Sequence, residues 1–81
     1  MAAAQRGDFA TAFQEWLPLA EQGNAKAQTN LGDMYRFGEG VPVNATEAVK
    51  WYRRAAEQGA ALAQYNLGLM YQRGLVVGVN G

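Results

Sequence analysis

Three residue types are missing from the 81-residue chain: it has no cysteine, no histidine and no serine. Without cysteine there are no disulfide staples and no thiolate metal ligands, and without histidine there is no imidazole ligand. Cysteine and serine nucleophiles, and the imidazole that would activate them, are excluded with them. Asp33 and Glu39 belong to a helix and the loop after it, and they form no acid–base pair that a reaction would need. No enzyme activity, metal or cofactor is therefore expected. No apolar run is long enough to span a bilayer, and Met-Ala-Ala-Ala-Gln-Arg at the start lacks the apolar core of a signal peptide. Membrane insertion is not expected, and the compartment stays unassigned.

Charge of one sign is missing as well. Seven basic and seven acidic residues cancel, which argues against a nucleic-acid partner or a cationic membrane surface. The one basic concentration, Lys50, Arg53 and Arg54, has Glu47 and Glu57 a turn to either side, the pattern of a charge-paired helix face. The length allows a single small domain with little interior to bury.

What the chain has is repetition. AEQGNAKAQTNLGDMYRFGEGVPVN, from Ala20 to Asn44, returns as AEQGAALAQYNLGLMYQRGLVVGVN from Ala56. A shift of 36 positions superimposes Ala27 on Ala63, Gln28 on Gln64, Asn30 on Asn66, Gly32 on Gly68 and Gly38 on Gly74. The same shift carries Ala48, Tyr52 and Ala55 back onto Ala12, Trp16 and Leu19. A fixed period of this size is the signature of stacked helical units. The units divide as a partial one over 7–23, a full repeat over 24–59 and a partial repeat over 60–81.

Each full unit reads as two helices. Ala27, Leu31, Met34 and Tyr35 fall at i, i+4, i+7 and i+8, one helical face. Gly32, and Gly68 in the next unit, leave that face bare for a neighbouring helix, so a larger residue at either is expected to overpack. Gly38 suits a left-handed cap, and the breaker-rich RFGEGVP follows as a loop. Asn44 and Glu47 have the spacing of a capping box, and Asp8 takes the matching cap position earlier in the chain. Ala48, Val49, Trp51, Tyr52, Ala55 and Ala56 then line a buried side that Gly59 closes. The expected fold is all-α, with helices over roughly 9–22, 25–37, 45–58 and 61–73 and a kink at Pro18. Such short helices are marginal alone and gain stability by stacking. Trp16, Trp51, Tyr35, Tyr52 and Tyr71 are expected as core aromatics. The Asn44-Ala45-Thr46 sequon is read as a helix cap in the first place.

Ala-x-Ala-Gln-x-Asn-Leu-Gly-x-Met-Tyr-x-x-Gly, at Ala25 to Gly38 and again at Ala61 to Gly74, resembles the Sel1-like repeat, a relative of the tetratricopeptide repeat. Ala-x-x-Trp-Tyr-x-x-Ala-Ala-Glu-Gln-Gly, at Ala48 to Gly59, is similar to the second half of that unit. The resemblance covers nearly everything from Gly7 to Asn80. It implies an α/α solenoid of antiparallel helix pairs, with first helices lining a concave surface that holds other proteins. One departure is Val76, which stands where the second glycine of the loop motif Gly-x-Gly-Val belongs. The cysteine-rich, antibiotic-binding branch of the family needs cysteines that are absent, so none of its activity carries over.

By the same resemblance, partner-facing residues are Lys26, Thr29, Asn30, Asp33 and Arg36 in one repeat. In the next they are Leu62, Tyr65, Asn66, Leu69 and Gln72. An extended protein segment would be gripped by the amides of Asn30 and Asn66 and selected by Asp33, Arg36 and Tyr65. A plainer reading has the asparagines tying neighbouring turns together. Leu62, Tyr65 and Leu69 form an apolar stripe where the first repeat has Lys26, Thr29 and Asp33. That stripe raises a second reading, self-association through the C-terminal end, where Ala63, Leu67, Met70 and Tyr71 have no further helix to cover them unless Leu75-Val76-Val77 folds back.

Overall fold

The structure, a computed structural model, describes residues 8–74. It holds four helices, α1 (Phe9–Glu21), α2 (Ala25–Phe37), α3 (Ala45–Glu57) and α4 (Ala61–Gln72), and no strand among the described residues. Consecutive helices pack against each other, giving the all-α stack that the repeat requires. The Leu75-Val76-Val77 segment and the loop departure at Val76 lie outside the described residues.

The ends of the helices follow the sequence signals closely. Asp8 caps α1 by accepting the Thr11 N–H at 3.1 Å, and Asn24 caps α2 by accepting that of Ala27 at 2.9 Å. Asn44 caps α3 by accepting the Glu47 N–H at 3.1 Å. The side chain of Glu47 pairs with Lys50 at 3.9 Å. At α4 the register breaks, because Ala60 stands where Asn24 stood and offers no capping side chain. α1 continues through Pro18 to Glu21. Gly38 has φ 73° and ψ 39°, and its N–H closes α2 on the Met34 carbonyl at 2.8 Å.

The loop after α2 returns to the stack through Gly40. Its φ is +79°, and a Cβ there would meet the Phe9 carbonyl oxygen at 2.6 Å and the Ala10 nitrogen at 2.8 Å. Backbone therefore lies on backbone, which a side chain would forbid.

Two apolar clusters form the core, and α3 contributes to both. Trp51 joins Ala12, Trp16 and Ala20 of α1 with Leu31 and Met34 of α2. Tyr52, its neighbour, points into the second cluster with Ala48, Ala55, Ala63 and Met70. Ala63 and Met70 are fully buried, so the expectation that they lack cover is corrected. Phe13 meets Tyr35 edge-on at 5.6 Å between ring centres. Tyr71 is exposed rather than a core aromatic, and its hydroxyl accepts a hydrogen bond from the Arg53 guanidinium at 2.7 Å.

The repeated glutamine has a structural task that periodicity did not reveal. Gln28 donates its side-chain N–H to the Ala20 carbonyl at 3.0 Å, and Gln64 does the same to Ala56 at 3.1 Å. Each ties a first helix to a carbonyl in the last turn of the helix before it, which also accepts a turn N–H from Gly23 or Gly59. Gln58 adds a bond to Gln28 at 2.9 Å.

The two helix-face glycines differ. At Gly32 a Cβ would lie 2.5 Å from two ring carbons of Tyr52, whereas at Gly68 no described atom beyond its own helix backbone and chain neighbours comes within 4 Å. The expectation of equal overpacking is thus corrected for Gly68, which faces open space. Gly32→Ala is expected to lower the thermal midpoint, by overpacking that costs about 1–3 kcal/mol. Gly68→Ala is expected to raise it, since alanine gains up to about 1 kcal/mol over glycine in an open helix interior. Circular-dichroism melts of the two variants check this, and equal shifts would refute the asymmetry.

Candidate interaction surface

The first helices α2 and α4 carry all the residues expected to face a partner. Lys26 and Gln72 are exposed, and Asn30, Asp33, Arg36 and Leu69 are half-buried. Leu62 and Tyr65 stand out from α4 at 60% and 65% exposure. Thr29 does not join them. It is only 5% exposed, and its hydroxyl donates to the Ala25 carbonyl at 3.0 Å. Thr29 is therefore withdrawn from the surface: a short β-branched hydroxyl in a helix satisfies itself on the preceding turn.

Asp33 is the centre of the surface. Its Oδ1 accepts the hydrogen bond of the Tyr52 hydroxyl, from α3, and that of the Asn66 amide at 3.4 Å, from α4. One carboxylate so joins three helices and two repeats. Asn66 is buried and acts as the tie between turns rather than as an open amide. Burial, then the hydrogen bond to Asp33 and its negative charge, push the Tyr52 hydroxyl well above the usual phenol range, with Arg36 opposing. Tyr52 therefore stays a neutral donor. The Arg36 guanidinium also lies over the Phe37 ring, 4.9 Å from its centre.

The basic concentration on α3 is organised around a ring. Arg54 and Lys50 sit 4.6 and 6.0 Å from the centre of the Trp51 ring. Of the two flanking glutamates, Glu47 is the one that forms an ion pair.

A second feature lies at the junction of α1 and α2. A cleft of about 110 Å³ is lined by Trp16, Leu19, Asn24, Lys26, Ala27 and Asn30. Lys26 and Asn30 come from the expected set. Trp16 was read only as core, and no sequence signal marks its position as a cleft wall. Among the described residues no cluster of acidic or imidazole groups could hold a metal, and no helix is long and apolar enough to cross a membrane.

Asp33→Ala leaves the buried Tyr52 hydroxyl without an acceptor, a loss of about 1–3 kcal/mol. Tyr52→Phe is expected to cost less, because the half-buried Asp33 can turn to water. A double-mutant cycle on thermal midpoints measures the coupling, and simple additivity would mean that the bond contributes nothing.

Comparison with known proteins returns one answer. The Sel1 repeat family model matches residues 25–59 and 61–80. The chain resembles the crystal structure of a Sel1 repeat protein from Oxalobacter formigenes, with a TM-score of 0.77 and 51% identity, over 80% of this chain and 27% of that one. It is also 50% identical over 34 residues to an uncharacterized protein of Neisseria meningitidis serogroup B, covering 42% of this chain and 7% of that protein. The chain thus spans a small part of the length of either relative.

Proposed function

Because the chain belongs to the Sel1 repeat family, whose repeats generally serve as protein–protein interaction modules, we propose that it holds a protein segment on the concave surface formed by α2 and α4. Members of the family are typically non-enzymatic scaffolds, and the missing nucleophiles and imidazoles accord with that. The observation that carries the reading is the pair Leu62 and Tyr65, two large apolar side chains left exposed one turn apart. Isolated exposed apolar groups are ordinary, but an adjacent pair on α4, with the polar Lys26, Asn30 and Arg36 on α2, supports a mixed surface suited to an amphipathic segment. Asp33 and Asn66 hold the two helices in register and serve as the frame of the surface.

A selection from a displayed peptide library on the immobilised chain tests this. Leu62→Ala/Tyr65→Ala is expected to weaken the selected peptides by about tenfold, or 1.4 kcal/mol. The thermal midpoint is expected to stay nearly unchanged, because surface substitutions usually act within about 0.5 kcal/mol. Peptides that bind the variant as well as the parent would move the site elsewhere.

A second reading, self-association through α4, has its own support. No described atom lies near a Cβ at Gly68, and Tyr71 is exposed on the same helix. Under this reading the sedimentation mass rises with concentration, and Leu69→Lys returns it to that of one chain. A mass that stays at one chain over a hundredfold concentration range excludes it.

A further inference from the structure

We propose that the outer face of α3 is a second docking surface, separate from the first-helix surface above. Its occupant is a helical segment of another protein, with two carboxylates one turn apart between two basic residues. Glu47, Lys50, Arg54 and Glu57 stand at i, i+3, i+7 and i+10, which puts them in one stripe along α3. Arg53 lies outside the stripe, with its guanidinium on the Tyr71 hydroxyl of α4. The 36-residue shift places Thr11, Gln14, Pro18 and Glu21 at the same positions on α1. The repeat thus packs a second helix without either cation. α3 has described neighbours on both sides, α2 and α4, so the stripe is not an end of the stack.

Only half of the stripe is paired within the chain. Glu47 meets Lys50 at 3.9 Å, whereas Arg54 and Glu57, also one turn apart, form no ion pair among the described residues. The Arg54 guanidinium lies over the Trp51 ring instead, 4.6 Å from its centre, and Lys50 Nζ is 6.0 Å from the same centre. Trp51 belongs to the core, so its ring is a fixed platform. A guanidinium stacked by its face keeps its in-plane N–H donors for an acceptor at its edge. Arg54 is half-buried, which strengthens its attraction to a carboxylate that reaches it. Two cations one turn apart are therefore held over one ring, and one of them has no carboxylate.

The order of charges selects the occupant. Two acidic and two basic side chains leave the stripe without net charge. A bilayer or a nucleic acid rewards an excess of basic groups, and here Glu47 and Glu57 would face its phosphates from both ends. A second copy fares no better. Pairing two α3 helices in register about a two-fold axis sets Lys50 against Lys50 or Arg54, and Glu47 against Glu47 or Glu57. A helix of the opposite order, basic, acidic, acidic, basic at the same spacing, meets all four groups with the opposite sign.

Two blocked, alanine-rich peptides of about twenty residues, long enough to be helical, test this. One carries Lys, Glu, Glu, Lys at the spacing of the stripe, and the other carries Glu, Lys, Lys, Glu. Titration is followed by the side-chain N–H resonances of Arg54 and Trp51, with Trp16 as the reference. The first peptide is expected to bind about tenfold more tightly, by a margin that shrinks with added salt. Arg54→Gln is expected to remove most of that margin with helicity unchanged. Equal binding of the two peptides, or binding of neither, would overturn the proposal. Binding that Leu62→Ala/Tyr65→Ala abolishes would put the peptide on the first-helix surface, overturning the outer site and leaving the interaction reading standing. A larger Arg54 shift with phosphatidylglycerol vesicles or duplex DNA than with the first peptide would make the stripe a polyanion site and overturn the helical partner. A shift that follows chain concentration without peptide would put a second copy there and equally overturn it.

Discussion

The ring of Tyr52 rests on the bare backbone of Gly32, and its hydroxyl reaches Asp33 next to that glycine. This contact brings α2 and α3 close enough for Leu31 and Met34 to be sealed from water. It needs a residue without a side chain on one helix and a flat ring with a polar tip on the other. Because Asp33 also takes the Asn66 amide, the same point sets where α4 lies. Much of the stack's geometry thus rests on one ring, one glycine and one carboxylate.

Around that point the structure repeats its solutions. The Gln28 and Gln64 side chains bond the last carbonyls of the preceding helix, so each joint between units uses the same tie. The last helical turn offers carbonyls that a side chain from the next helix can reach, and the Ala20 and Ala56 carbonyls take the glutamine amide together with a turn N–H. Small residues pack among the large side chains of the core, with Ala12, Ala20, Ala27, Ala48, Ala55 and Ala63 all buried. Alanine at these positions lets helices approach while retaining good helix propensity. Trp51 and Tyr52 then join one layer of core to the next, because adjacent residues on α3 enter different clusters.

The surface follows from the same frame. With the Asn66 amide and the Asp33 carboxylate joining turns, the two repeats differ in what they show to solvent: Lys26 stands against Leu62, and the buried Thr29 stands against the exposed Tyr65. Among the described residues, the buried Trp16 Nε1 has no acceptor, and the side chains of Leu62 and Tyr65 stand exposed.

The helices, their period and most of their ends were determined by the sequence itself. Cap residues, left-handed glycines and apolar spacing act within a few residues, so Asp8, Asn44 and Gly38 could be read directly, while the Asn24 cap emerged with the structure. The 36-residue shift also carried the identity of the stack, since a unit that cannot bury its face alone must meet another. Only the tertiary structure decided how equivalent residues differ. Thr29 is buried and Tyr65 is not, Gly32 is filled by a ring and Gly68 faces space, and Asn66 is bonded where Asn30 lines a cleft. The repeat makes each pair alike in local sequence, but burial depends on which helix lies on either side, and that neighbour is supplied from far along the chain.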